Sequence, residues 1–136
     1  MKVALSLAAA VSALLCAPLA RAGKTDHLFT VEVPPAASKA GEKGTAQLRI
    51  QVKPEGHISD EAPLKATLKG KNVALDKEKL GKSDAVYKDG SASMTIGFTA
   101  QAPGAGTIDA DLTFYICSKE ICERQERRVT IPVTVR

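Results

Sequence analysis

The chain has 136 residues, a formal charge of +4 at pH 7 and an aromatic content of only 4%. Its basic residues are spread out and interleaved with acidic ones, which excludes the clustered positive surface of a nucleic-acid-binding protein. The longest apolar run falls short of the about 20 residues that a membrane-spanning helix needs.

That run opens the chain. Lys2 supplies a positive charge, Val3 to Ala17 are rich in Ala and Leu, Pro18 breaks the run, and Ala20-Arg21-Ala22 puts small residues where a signal peptidase reads. This is the layout of a secretory signal over residues 1–22, with cleavage expected before Gly23. Cys16 follows Leu15 rather than a small residue, so it reads as part of the signal and not as a lipid attachment site. A Sec-type signal points to a bacterial periplasm, where thiols tend to be oxidised. Removing 22 of the 136 residues leaves 114, with 17 basic residues against 15 acidic ones. Residues 23–136 make about one domain, large enough to bury a core without a disulfide.

Residues 23 to 28 read as a loosely held lead-in. From there the periodicity is that of strands, because apolar side chains recur at every second position. The pattern runs through Ala46, Leu48, Ile50 and Val52, then Leu64, Ala66 and Leu68, then Ala92, Met94, Ile96 and Phe98. It is longest in Ile108, Ala110, Leu112, Phe114 and Ile116, and it returns in Val129, Ile131, Val133 and Val135. A two-residue repeat sends one set of side chains to a core and the other to solvent. Pro34-Pro35, Gly41 to Gly44, Pro54-Glu55-Gly56, Gly70-Lys71-Asn72, Asp89-Gly90 and Pro103 to Gly106 supply turn chemistry between the runs. Short alternating strands divided by turns predict an all-β sandwich. Asp76 to Lys82 reads as a single helical turn. Pro132 lacks an amide donor, so it must lie on an edge or at a bulge.

Two cysteines remain after the signal, Cys117 and Cys122, separated by Ser118-Lys119-Glu120-Ile121. Continuing the phase of Leu112, Phe114 and Ile116 turns Tyr115 and Cys117 outward. A four-residue loop can bring the flanking Cα atoms within the roughly 4.4–6.8 Å of a disulfide. An antibody-type inter-sheet bridge is excluded, because the chain has no Trp and no upstream partner cysteine. A bridge over so short a loop contributes only about 2 kcal/mol in the chain-entropy view, and an exposed one is open to attack by a thiolate. A structural staple and an exchange site are both open on these grounds.

His57 follows a turn and stands near Asp60 and Glu61; it reads as a packing or hydrogen-bonding residue at a strand start rather than a metal ligand or general base. His27 reads as solvent-exposed. The spacing of His27, His57, Cys117 and Cys122 matches no zinc pattern. Lys119 and Arg124 would favour a thiolate, while Glu120 and Glu123 oppose them. No Ser-His-Asp order, phosphate loop or paired-carboxylate arrangement supports a hydrolase.

The stretch Phe114-Tyr115-Ile116-Cys117-Ser118-Lys119-Glu120-Ile121-Cys122, followed by a polar gap and a Val-rich last strand, resembles the N-terminal periplasmic domain of the thiol:disulfide interchange protein DsbD. Gly56-His57-Ile58 and Pro63-Leu64-Lys65-Ala66-Thr67-Leu68 resemble the same family, and the likeness spans most of residues 27 to 136. The resemblance implies an immunoglobulin-like antiparallel β-sandwich in which Cys117 and Cys122 cycle between dithiol and disulfide without a cofactor. It also implies separate thioredoxin-like periplasmic proteins as electron donor and acceptor. Two readings follow: a periplasmic thiol–disulfide exchange module, or a secreted immunoglobulin-like binding module in which the bridge fixes a hairpin tip.

Overall fold

A computed structural model describes residues 23–136; the expected signal, residues 1–22 with Cys16, lies outside the described residues. The strands in chain order are β1 (Phe29–Glu32), β2 (Ala36–Ser38), β3 (Lys43–Val52), β4 (His57–Ile58), β5 (Lys65–Lys71), β6 (Val73–Leu75), β7 (Lys79–Gly81), β8 (Ala85–Lys88), β9 (Ser91–Ala100), β10 (Gly104–Cys117) and β11 (Cys122–Val135). One sheet runs β1-β3-β9-β6, with β8 also on β9; the other runs β2-β11-β10-β5-β7, with β4 also on β10. Their inner faces form the core of an immunoglobulin-like β-sandwich. Every pairing is antiparallel except β2 with β11, which is parallel.

The alternating runs land on the long strands in the expected phase. Leu48, Ile50, Met94, Ile96 and Phe98 of one sheet and Ile108, Leu112, Phe114, Ile116 and Ile131 of the other are fully buried. Each contributes about 1.5–3 kcal/mol of transfer free energy. The Phe29 and Phe114 rings meet edge-to-face, 5.2 Å between centroids, which joins β1 of the first sheet to β10 of the second.

Three expectations are sharpened or corrected. The Asp76 to Lys82 segment is not one helical turn: Lys79–Gly81 forms β7 on β5, and a 3₁₀ turn follows at Lys82–Asp84. A single buried apolar side chain, Leu80 opposite Ala66, is enough to anchor so short a strand but too little to show a period in the sequence. Asp89-Gly90 forms the two-residue hairpin turn between β8 and β9, with φ of 51° and 79°, the left-handed conformation that this dipeptide favours. Pro132 faces Thr107 in the β10–β11 ladder, and β2 joins the far side of β11 only from Val133 onward. Counting alternate pairs from Ser118, whose amide bonds Ile121, Pro132 falls at a position that donates no hydrogen bond to β10. Its missing donor therefore costs that ladder nothing.

Replacing Phe114 by Ala removes the ring that joins the sheets and leaves a cavity that neighbouring rigid strands cannot fill. A loss of about 3–5 kcal/mol is expected, read as a lower urea midpoint at unchanged slope.

Candidate functional site

β10 and β11 pair without interruption from Gly104↔Val135 to Cys117↔Cys122, so the two cysteines are the last cross-strand pair before the hairpin tip. Within the tip, the Ser118 amide donates to the Ile121 carbonyl at 2.7 Å. The Ser118 hydroxyl oxygen accepts from the Glu120 and Ile121 amides at 3.2 and 3.3 Å. With Ser118 and Ile121 hydrogen-bonded, Cys117 and Cys122 form the close, non-bonded kind of pair, in which Cα atoms approach to about 4.5 Å. A disulfide joins them, with Cα atoms 3.9 Å apart, closer than the range anticipated from loop length.

The two ends of the bridge are not equivalent. Cys122 is exposed, whereas Cys117 is only 3% exposed. The outward phase expected for Cys117 holds, since it stands outside the core cluster, but outward does not mean open here. β10 is the middle strand at this end, with His57 of β4 opposite Cys117 on one side and Cys122 on the other. Gly56 packs into the same corner: a side chain there would come within 3.2 Å of the Cys117 carbonyl oxygen and 3.1 Å of Leu28 Cδ1. His57 is exposed at the start of β4, and His27 is exposed in the N-terminal segment. Among the described residues no three His, Cys, Asp or Glu side chains converge as metal ligands do.

The expected loose lead-in is instead pinned. Thr25 is fully buried and Leu28 nearly so, in a segment whose Asp26–Leu28 form a 3₁₀ turn. Glu123 accepts the Thr25 amide and hydroxyl, each at 2.7 Å, and the Lys24 amide at 3.1 Å. Two residues on, Gln125 donates to the Thr25 hydroxyl at 2.8 Å. Two further, Arg127 pairs with Asp26 at 3.2 Å and lies 5.0 Å from the centre of the Phe29 ring. These three residues oppose Ile116, Phe114 and Leu112 in the ladder, so they occupy the inner face of β11. The polar gap after the cysteines is thus strand, its inward side chains covered by the polar lead-in and, at Arg127, by Phe29 of β1.

Hydrogen bonds from the Thr25 hydroxyl first, then from the Thr25 and Lys24 amides, hold the Glu123 carboxyl below the usual carboxylate range. The Gly23 amide, ahead of Gln125 and Arg127, does the same for Asp26. Of the charges flanking the cysteines in sequence, Glu123 is thereby turned to the inner face, while Arg124 pairs with Glu126 at 2.7 Å.

An open groove of about 590 Å³ lies between the hairpin tip, the N-terminal segment and the β3–β4 turn. Ser118 to Ile121 form one wall, Lys24, His27 and Leu28 another, and Pro54-Glu55 the third. Ile121 is 38% exposed, a large apolar side chain presented beside the disulfide. The groove's charges are mixed, with Lys24 and Lys119 against Glu55 and Glu120.

No family model matches the chain, and no curated protein matches it. Among solved structures it is similar to the third cohesin of ScaC from Acetivibrio cellulolyticus, solved in complex with the ScaB dockerin. That match has a TM-score of 0.50 at 16% identity and covers 79% of this chain and 99% of the cohesin. It is also similar to a chain of the complex between zinc 2-glycoprotein and prolactin inducible protein from human seminal plasma, with a TM-score of 0.49 at 15% identity, over 80% of this chain and 94% of that one. At such identities the cohesin likeness shows the β-sandwich fold alone. Among the described residues no helix is long and apolar enough to cross a membrane.

Because Glu123 is held low, its clasp on Thr25 is complete above the ordinary carboxylate pKa of about 4.3 and is lost as pH falls through the depressed folded value. Glu123→Gln should therefore lower the melting temperature near neutrality, and the gap from the native chain should narrow on acidification. Melts across pH 2 to 7 check the sign.

Proposed function

We propose that the chain is an exported immunoglobulin-like binding module in which the Cys117–Cys122 disulfide fixes a hairpin tip that walls a recognition groove. The observation that carries this reading is the burial of Cys117 beside β4 next to an open groove edged by the exposed Ile121. Exchange needs access to one sulfur only, so burial of Cys117 confines attack to the Cys122 side, and the clamp reading rests on the groove that the bridged tip walls. In the groove of about 590 Å³, Ile121 and Pro54 offer apolar contact, and Lys24, Lys119, Glu55 and Glu120 offer polar contact at its rim. Export rests on the signal-like residues 1–22 and fits a disulfide held oxidised.

One observation favours a second reading, thiol–disulfide exchange as the likeness to the DsbD N-terminal domain implies: Cys122 is exposed. In that case the thiolate of a reduced thioredoxin-like donor bonds to the Cys122 sulfur and the S–S bond breaks. The electron pair leaves on the Cys117 sulfur, which takes up a proton. The donor's second thiol then displaces Cys122 from the mixed disulfide, leaving the donor oxidised and the pair reduced. Passing those electrons on to another periplasmic thiol protein repeats the exchange in reverse.

Measurement of the pair's reduction potential, with exchange against a reduced thioredoxin-like protein, separates the readings. A potential below about −300 mV without exchange is expected of the clamp. Rapid exchange at a markedly higher potential would instead establish the relay, and the thiol left in Cys117→Ser would then attack the disulfide of an oxidised thioredoxin-like partner to give a mixed disulfide, whereas Cys122→Ser would not. For the clamp, replacing both cysteines by Ser should cost about 2 kcal/mol while the sandwich stays folded, seen as a lower melting temperature with unchanged far-ultraviolet circular dichroism.

A further inference from the structure

The residue expected to follow the signal, Gly23, sits against two carboxylates. Its backbone nitrogen donates to Asp26 Oδ2 at 2.8 Å. A Cβ placed on Gly23 would lie 2.9 Å from Asp26 Oδ1 and 3.2 Å from Glu123 Oε2, so oxygens from both carboxylates press on this one residue. Gly23 lies in a hollow of about 310 Å³ lined otherwise by Asp26 and by Glu123, Arg124, Gln125, Glu126 and Arg127 of β11. Arg127 is engaged by Asp26 and Arg124 by Glu126, while Lys24 is exposed.

We propose that Asp26 and Glu123 form a built-in receptor for the α-ammonium group of Gly23, so that removal of residues 1–22 locks the N-terminal segment onto β11. This rests on the reading of residues 1–22 as a cleaved signal. Hydrolysis of the Ala22–Gly23 peptide bond by a signal peptidase consumes one water, leaving a carboxylate on Ala22 and an amine on Gly23 that is protonated at neutral pH. A single neutral N–H donor thereby becomes a cation with three donors. Charge-assisted hydrogen bonds are roughly twice as strong as neutral ones, and Asp26 already lies at hydrogen-bonding distance from the nitrogen.

The same segment supplies Lys24, His27 and Leu28 to the groove beside the cysteines. Processing would then set one wall of the groove. In the uncleaved chain the Glu123 bonds to Thr25 and Lys24 would remain, but the cationic contact would be missing.

The sign with pH is opposite to that of the Glu123 clasp. A carboxylate-held ammonium contributes fully below the free amine's pKa of about 7.7–8.0 and is lost as pH rises through the value in the folded protein. The charged groups facing it are Asp26 from the 3₁₀ turn and Glu123, Arg124, Glu126 and Arg127 from β11.

The test compares the 23–136 chain bearing a free Gly23 amine with the same chain acetylated there; every described strand and the whole described core lie within these residues. At pH 6 the free-amine chain should melt roughly 2–5 °C higher, with slower exchange of the Thr25 amide, and the difference should close towards pH 10. In an Asp26→Asn background acetylation should matter less. Equal melting of the two chains throughout this range, or a difference independent of pH, overturns the proposal. Sequencing the N-terminus of the exported protein tests the premise separately, since a start other than Gly23 removes the processing step. Neither result depends on whether the disulfide exchanges.

Discussion

The continuous pairing of β10 with β11 is the constraint on which the other features depend. Fourteen successive residue pairs hold these strands in one register. β10 also carries β5 and β4 on its other side, and β11 carries β2. Because side chains alternate strictly, the register decides at once that Ile108 to Ile116 and Val129 to Val135 face the core. The same register puts Cys117 opposite Cys122 at the tip and Glu123, Gln125 and Arg127 beneath the N-terminal segment. A slip by one residue would bury Glu126 and Arg128 and expose Ile131 and Val133. The disulfide closes the hairpin at the end where apolar inward side chains give way to polar ones.

Core and site therefore rest on different chemistry within one pair of strands. At the Val135 end, burial of Ile131 and Val133 against the other sheet supplies the stability. At the Cys122 end the inner face is polar, and each of its side chains meets a specific group of the lead-in: Glu123 with Thr25 and Lys24, Gln125 with Thr25, and Arg127 with Asp26, the last also lying over Phe29 of β1. Buried polar groups need such partners. Directional bonds of this kind position the N-terminal segment more narrowly than apolar contact would, and that segment is a wall of the groove.

Much of the fold was legible because apolar alternation is a strong signal. The long strands β3, β9, β10 and the second half of β11 were readable from side-chain chemistry alone, as were the Asp89-Gly90 turn and the edge position of Pro132. The first half of β11 was hidden because its inward residues, Glu123, Gln125 and Arg127, are polar, although they continue the spacing of Val129, Ile131 and Val133. A phase extended backwards through polar residues would have found them, with Thr25-Asp26 as the complementary polar partners. Burial of Cys117 was hidden for another reason: the phase was right, but the cover comes from β4, a two-residue strand 60 positions upstream, too short to leave a period. The groove combines three chain segments distant in sequence and left no local trace.

The route of the first residues between the sheets has a mechanical consequence. β1 belongs to one sheet, and after Pro34-Pro35 the chain crosses to the other as β2, which runs alongside β11 in the same direction. Beyond the ladder itself, the Arg136 amide donates to Ser38 and the Ala40 amide to the Arg136 carbonyl. Tension applied between the two ends of the domain, once β1 has given way, draws β2 and β11 lengthwise in opposite directions. Their hydrogen bonds then share the load in shear instead of opening one after another. Load on the ends of the domain thus falls on the short parallel pairing of Ala36–Ser38 with Val133–Val135 as a unit.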